Sequence, residues 1–167
     1  KAALHNAHAL LLQTPKLAAE QAREILRVIP KQPDAELLLA SALRRTGDFD
    51  AARALLHPLR QQHPRSAPVW LEWGELCACI GDDEIAARAL RRAVDLEPTM
   101  VRGWLALAGH CQAIEDVRGA AAAYAQFLRH STRDPELMRA ADALCANRIP
   151  EAERLLRARL YKAPTDV

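Results

Sequence analysis

Glycine is scarce, with six in 167 residues, and aromatic side chains make up only 4% of the chain. Sandwiches and barrels draw on aromatic and β-branched residues and on frequent turn glycines, so this shortage argues against an all-β fold. Charge of one sign is missing as well. The 23 basic and 21 acidic side chains are interspersed and leave a formal net charge of +2, so no long-range field points to nucleic acid or to an anionic membrane as partner. No apolar run approaches the roughly 18 to 20 residues needed to cross a bilayer, and no secretory leader is visible, so the expected location is the cytoplasm. Nor is there a G-x-x-x-x-G-K-[ST] stretch or comparable glycine-rich turn to cradle a phosphate. Ser41, Ser66 and Ser131 stand in no nucleophile-elbow pattern and have no evident base beside them. No catalytic centre and no cofactor are expected.

What is present is helix-forming sequence. Half of the chain is hydrophobic, dominated by Ala and Leu, which is enough for a sizeable core. Pro30, Pro64 and Pro98 recur every 34 residues, and each is preceded twelve residues earlier by an alanine: Ala18, Ala52 and Ala86. In the same register lie Ala40, Gly74 and Ala108, then Leu43, Cys77 and Cys111, and then Leu56, Leu90 and Tyr124. Trp70 and Trp104 share one slot, with Trp73 and Leu107 three residues on. Small residues mid-way along one helix and near the start of the next allow the two to approach to about 8–10 Å. Large residues then fill the space between successive pairs.

This pattern resembles the tetratricopeptide repeat, W-x2-L-G-x2-Y followed by A-x3-F and a closing proline. The resemblance implies an all-α, right-handed superhelix of about ten antiparallel helices in five helix-turn-helix repeats. The expected repeats are about 1–33, 34–66, 67–100, 101–133 and 134–164, in a single array. The expected helices are 1–13 and 16–29, 34–46 and 49–63, 67–80 and 83–96, 101–113 and 117–130, and 135–146 and 150–162. Thr14 before Pro15 and Asp134 before Pro135 place cap acceptors ahead of a proline at the first helical position, and Asp48, Thr99 and Asp82 or Asp83 are further caps. Gly47 and Gly81 supply the turn inside a pair. The outer repeats fit less well: Asn6 and Asp142 stand in the small-residue slot, and the last turn is about two residues short. Pro58 lies inside the second helix of its pair, leaving the carbonyl of Ala54 without a helical donor, and a kink is expected there. The ending Pro164, Thr165, Asp166, Val167 reads as a closing proline plus the cap of a further helix, so a fragment of a longer protein is expected.

Cys77, Cys111 and Cys145 are 34 apart, a repeat register instead of a metal or disulfide spacing, and the expectation for the cysteines is core thiols. Cys79 points about 200° around the helix from Cys77. Of six histidines only His5 and His8 share a helical face, and surface or cap positions are expected.

In the architecture the resemblance implies, first helices line the inner surface. Candidate partner contacts there are Leu38, Ser41, Arg44, Arg45, Glu72, Glu75, Arg102, Gln112 and Arg139. Chaperone-binding relatives hold a terminal carboxylate with Lys, Asn and Arg on first helices; the equivalent places here carry Ala3, Ala7, Leu38 and Ser41, so no such clamp is expected. The stretch Asp134-Pro135-Glu136-Leu137-Met138, with Ala143–Arg148 and Glu151–Leu156, is similar to the repeat region of bacterial proteins that join such repeats to a C-terminal sulfotransferase domain. The expected function is a non-catalytic scaffold for a protein or peptide partner, or for the parent's own downstream domain. The alternative is a substrate-recruiting region of a sulfotransferase whose catalytic domain lies outside this chain. Self-association through uncapped ends is a third reading of the pattern.

Overall fold

The computed structural model describes residues 2–162, apart from the side chains of residues 2, 3, 5, 8 and 162. The expected closing Pro164 and the cap at Asp166 lie outside the described residues. Ten helices run in order: α1 (Ala2–Leu10), α2 (Pro15–Val28), α3 (Pro33–Arg45), α4 (Phe49–Gln62), α5 (Ala67–Cys79), α6 (Asp83–Leu96), α7 (Val101–Ala113), α8 (Val117–Ser131), α9 (Pro135–Cys145) and α10 (Ile149–Lys162). They fall into two compact units, residues 1–96 with α1–α6 and residues 97–167 with α7–α10.

The turn inside each of the last four pairs is built alike. At the end of α3, Asp48 N–H donates to the Leu43 carbonyl at 2.9 Å and Gly47 N–H to the Arg44 carbonyl at 3.1 Å. This double closure satisfies carbonyls that the helix end leaves open and needs a left-handed residue at its centre. The same pair of bonds recurs at Asp82 and Gly81, Asp116 and Glu115, and Arg148 and Asn147. The central residues have φ of 84° at Gly47, 80° at Gly81, 61° at Glu115 and 56° at Asn147. The first two were legible as glycines; at Glu115 and Asn147 the repeat geometry imposes the same backbone on side chains that tolerate it less well.

Asp48 and Asp116 then turn from closing one helix to opening the next, accepting from Ala51 N–H at 3.3 Å and Gly119 N–H at 2.9 Å. Asp134 caps α9 by accepting from Glu136 N–H at 2.8 Å, and Arg159 of α10 donates to its other oxygen at 2.8 Å. These two contacts, the Arg159 bond foremost, hold the Asp134 carboxyl below its ordinary pKa. Two expected caps differ. Thr14 occupies the cap position of α2 without a side-chain bond, its hydroxyl turning back to the Leu10 carbonyl at 3.5 Å. α7 opens on Met100 instead of Thr99. Gln32, not foreseen, caps α3 by accepting from Ala35 N–H at 2.7 Å. α4 stays helical through Pro58, and Ala54 and Pro58 both lie on its exposed side.

In unit one, α1, α3 and α5 each pack on the helix that follows, α2 and α4 pack on the next first helix, and α3 lies against α5. Ala40, Ala52, Gly74 and Ala86 are buried as the small-residue reading requires. A Cβ at Gly74 would stand 2.7 Å from Leu90 Cγ and 3.1 Å from Leu90 N, which fixes how closely α5 and α6 approach. In unit two, α8 packs on both α7 and α9, and α9 on α10, around Leu107, Ala108, Ala120, Ala140, Ala141 and Ala152. Asp142, in the small-residue slot, points outward and accepts from Arg129 at 2.8 Å.

The two tryptophans of one slot make the same bond. Trp70 Nε1–H donates to the Pro64 carbonyl at 2.9 Å and Trp104 Nε1–H to the Pro98 carbonyl at 2.7 Å. The indole thus ties the start of a first helix to the proline that closed the preceding repeat, while its ring is half buried.

Candidate partner-binding surface

The candidate residues separate by burial. Arg44 on α3 reaches across to α5. Its Nε and Nη2 donate to Glu72 Oε2 at 3.2 and 3.1 Å, and Nη2 also contacts the Glu75 carboxylate. The side chains of Arg44, Glu72 and Glu75 are only 10%, 3% and 18% exposed. Burial by itself would lower the Arg44 pKa; the adjacent Glu72 and Glu75 charges outweigh it and hold the guanidinium above its ordinary value. Leu38 and Ser41, on the same helix, are buried too. Packing between consecutive first helices therefore withdraws Leu38, Ser41 and Glu72 from solvent and leaves Arg44 and Glu75 as a thin rim. Removing one partner of a charge set this deeply buried is far more costly than the set's net contribution. Arg45 alone of the α3 candidates is exposed.

Arg102, Leu105, Gly109 and Gln112 are all exposed, the last three lying three, seven and ten residues beyond the first, along one side of a helix. The opposite side of α7, with Gly103, Leu107, Ala108, His110 and Cys111, is buried. Leu105 is 46% exposed, large for a leucine, and a Cβ at Gly109 would meet no atom within 4 Å. Next to it the Gln112 carboxamide oxygen accepts from the Tyr124 hydroxyl of α8 at 3.1 Å, which fixes its orientation. Arg139 is exposed on α9. The stripe thus sets an exposed apolar side chain and bare backbone between two polar residues.

The other singled-out residues have structural settings. Cys77 and Cys111 are buried, but Cys79 and Cys145 are exposed. This corrects the core expectation for those two. Cys79 faces away from Cys77 around the helix, and Cys145 ends α9 where no described element covers it. Burial, with Asp82 adding to it, pushes the Cys77 thiol up to about 11, so it is a packing group and not a nucleophile. His110 is buried, a correction to its expected surface place, because it shares the inward side of α7 with Cys111. Trp73 is buried with its Nε1–H lacking a partner among the described residues. The Arg60 guanidinium lies 4.5 Å from its ring centroid and 5.5 Å from that of Trp70, and the His57 ring meets Trp73 edge-on at 6.2 Å. That cluster joins α4 to α5. Among the described residues no three His, Cys, Asp or Glu side chains group as a metal site requires, and no helix is long and apolar enough to cross a membrane.

A family model described as tetratricopeptide repeat matches residues 33–76. No curated protein matches the chain. Among solved structures it is similar to a thermophilic TPR protein in Thermus thermophilus, with 21% identity, a TM-score of 0.74, and 99% of this chain and 92% of that one covered. It is similar to MamA 41-end from Desulfovibrio magneticus RS-1, with 18% identity, a TM-score of 0.62, and 77% and 73% covered. A chain in the structure of Naa15/Naa10 bound to HypK-THB shares 20% identity at a TM-score of 0.67, over 99% of this chain and 25% of that one. These likenesses show the fold, all-helical and of the tetratricopeptide type, and the matched segment supports the tetratricopeptide family for the repeat.

Proposed function

We propose that this chain is a non-catalytic scaffold, one array across residues 1–167, that receives an extended or helical peptide along the exposed side of α7. Leu105 is the apolar contact, Gly109 lets the partner's main chain approach, and Arg102 and Gln112 bound the strip, with Arg45 and Arg139 as accessible charges elsewhere on first helices. The observation that carries the reading is the uncovered Leu105 beside a residue with no side chain, on a helix whose other side is buried. A domain of ordinary composition scatters exposed leucines singly, but here the bare backbone next to it makes room for a main chain as well. The same fold takes part in a multi-protein assembly in the Naa15/Naa10 structure bound to HypK-THB, in keeping with a binding role.

Selection of a displayed random peptide library on the immobilised chain tests the proposal. Enriched peptides are expected to share an apolar anchor. Burial of such an anchor is worth about 1.5–3 kcal/mol, so Leu105→Asp is expected to weaken them roughly ten- to hundredfold, and Gly109→Glu comparably, while Asp50→Lys, exposed on α4, leaves them unchanged. No enrichment, or enrichment indifferent to both α7 variants, refutes the proposal. Recruitment for a sulfotransferase outside this chain adds a requirement: such a domain or its protein substrate, supplied in trans, must compete with the selected peptides.

A further inference from the structure

Two surfaces each expose apolar side chains, and on each one residue, Ile25 on the first and Leu160 on the second, stands at a register position that is more deeply buried elsewhere among the described residues. The first is an open groove of about 570 Å³ against α1 and α2, floored by Leu4, Ile25, Val28 and Ile29 and edged by Glu24 and Asp34. Ile25 is half buried, whereas Leu59, 34 residues on, is 1% exposed, with Lys31 and Glu36 of the preceding connection and first helix beside it. Val28 and Ile29 are 81% and 55% exposed. The second surface is on α10. On α8, Leu128 is half buried and Arg129 reaches Asp142 of α9 at 2.8 Å. Their counterparts one repeat later, allowing for the short last turn, are Leu160 and Tyr161, which are 49% and 92% exposed.

The charges of the two surfaces are opposite. Among the described residues, the charged groups that line the groove and its continuation over α2 are Glu20, Glu24 and Asp34, all acidic. The exposed side of α10 presents Arg154 and Arg157 next to Tyr161. Glu24 is paired with Arg27 at 2.6 Å and Arg157 with Glu153 at 2.5 Å, but both pairs are solvent-exposed and so exchange partners at little cost. We infer that a second copy of this chain docks head to tail, α10 of one copy entering the α1–α2 groove of the next, with Tyr161 and Leu160 against Ile25, Val28 and Ile29 and the arginines against Glu20, Glu24 and Asp34. The contact is heterologous: each copy uses two different faces, so it extends into chains of copies instead of closing as a two-fold dimer. It reuses between molecules the second-helix-to-first-helix packing that joins pairs within each unit.

Sedimentation velocity on the 167-residue chain across a wide concentration range tests this, with Val28→Glu and Tyr161→Glu as one-sided variants. Both positions are exposed, and circular dichroism verifies that the helices persist. The unaltered chain is expected to grow beyond its 18.5 kDa monomer as concentration rises. Each variant alone is expected to stay monomeric, with association weakened at least tenfold. An equimolar mixture of the two variants is expected to give dimers and nothing larger, because one supplies an intact α10 and the other an intact groove. Glu24→Arg and Arg157→Glu are each expected to weaken association about two- to fivefold, and their combination in one chain to restore it. A monomer at every concentration overturns the inference and leaves both faces to a different protein. So does a variant that still self-associates, which indicates a two-fold contact through one face, or a mixture that stays monomeric.

Discussion

Placing alanine at Gly74 and, separately, at Gly109 isolates the packing contribution of the repeat. Both glycines lie within helices, α5 and α7, where Gly→Ala raises helix stability by about 0.5–1 kcal/mol. At Gly109 nothing lies within 4 Å of the new methyl group, so that gain is expected to appear undiminished. At Gly74 the methyl meets Leu90 Cγ at 2.7 Å, Cδ2 at 2.9 Å and the backbone nitrogen at 3.1 Å, all inside the roughly 3.5–4.0 Å of a relaxed carbon contact. Leu90 is 1% exposed and has nowhere to retreat, so α5 and α6 must separate. Overpacking of this kind costs about 1–3 kcal/mol. The net expectation is a destabilisation of about 0–2 kcal/mol at Gly74 against a stabilisation at Gly109. The helix-propensity gain cancels in the comparison, leaving about 1–3 kcal/mol of packing. Urea unfolding followed by far-ultraviolet circular dichroism reads it, with each variant compared with the unaltered chain at the transition of its own unit. If Gly74→Ala raises its midpoint as far as Gly109→Ala does, the small-residue account of helix pairing is wrong.

Arg44→Met is expected to destabilise unit one by about 3–5 kcal/mol, by stripping a buried carboxylate of its cation, and Arg44→Met with Glu72→Met to recover most of the loss; additive effects of the two in denaturant unfolding would argue against the ion cluster. Iodoacetamide at about pH 8, near the ordinary thiol pKa, is expected to add two groups under native conditions, at Cys79 and Cys145, and two more only in denaturant, with intact-mass spectrometry giving the count; a third rapid native adduct contradicts the burial of Cys77 and Cys111. Because the folded chain holds the Cys77 thiol above its unfolded value of 9.0, at about 11, its protonated form contributes stability that is complete below the unfolded value and lost as pH rises through the folded one. The alkaline fall in unfolding midpoint should therefore be shallower in Cys77→Ala, and an identical slope removes the argument. Glu115→Gly is expected to stabilise unit two by about 0.5–1 kcal/mol, since φ is 61° there, and Gly47→Ala to destabilise unit one by about 1–2 kcal/mol; thermal unfolding checks both signs.

Helix boundaries were legible because their punctuation is local. Prolines at first helical positions, aspartates after the turns and glycines at 47 and 81 sit beside the groups they satisfy. The left-handed backbone at Glu115 and Asn147 was not legible from residue type, since neither is glycine; it could have been found only by carrying the 34-residue register through them. The candidate surface was legible in part. Along α7 the first-helix candidates Arg102 and Gln112 are both exposed, with Leu105 and Gly109 on the same side of the helix between them. Along α3 the candidates Leu38 and Ser41 are buried and Arg44 nearly so, and Arg45 is exposed. What decides between the two is a contact between residues 28 and 31 apart, Arg44 with Glu72 and Glu75, and no local pattern announces it. The one available signal was chemical: an arginine on one first helix and two glutamates one turn apart on the next neutralise each other before they meet a ligand. His110 and Cys145 show the same limit, since their exposure depends on which neighbouring helix lies over them.

The binding account is tested most directly by nuclear magnetic resonance on the isotope-labelled chain, 18.5 kDa in mass, titrated with a selected peptide. Backbone amide shifts are expected to concentrate at Arg102, Leu105, Gly109 and Gln112, with α3 and α5 around Arg44 and Glu72 unmoved. Shifts centred on α3 and α5, or spread evenly over the chain, would contradict it.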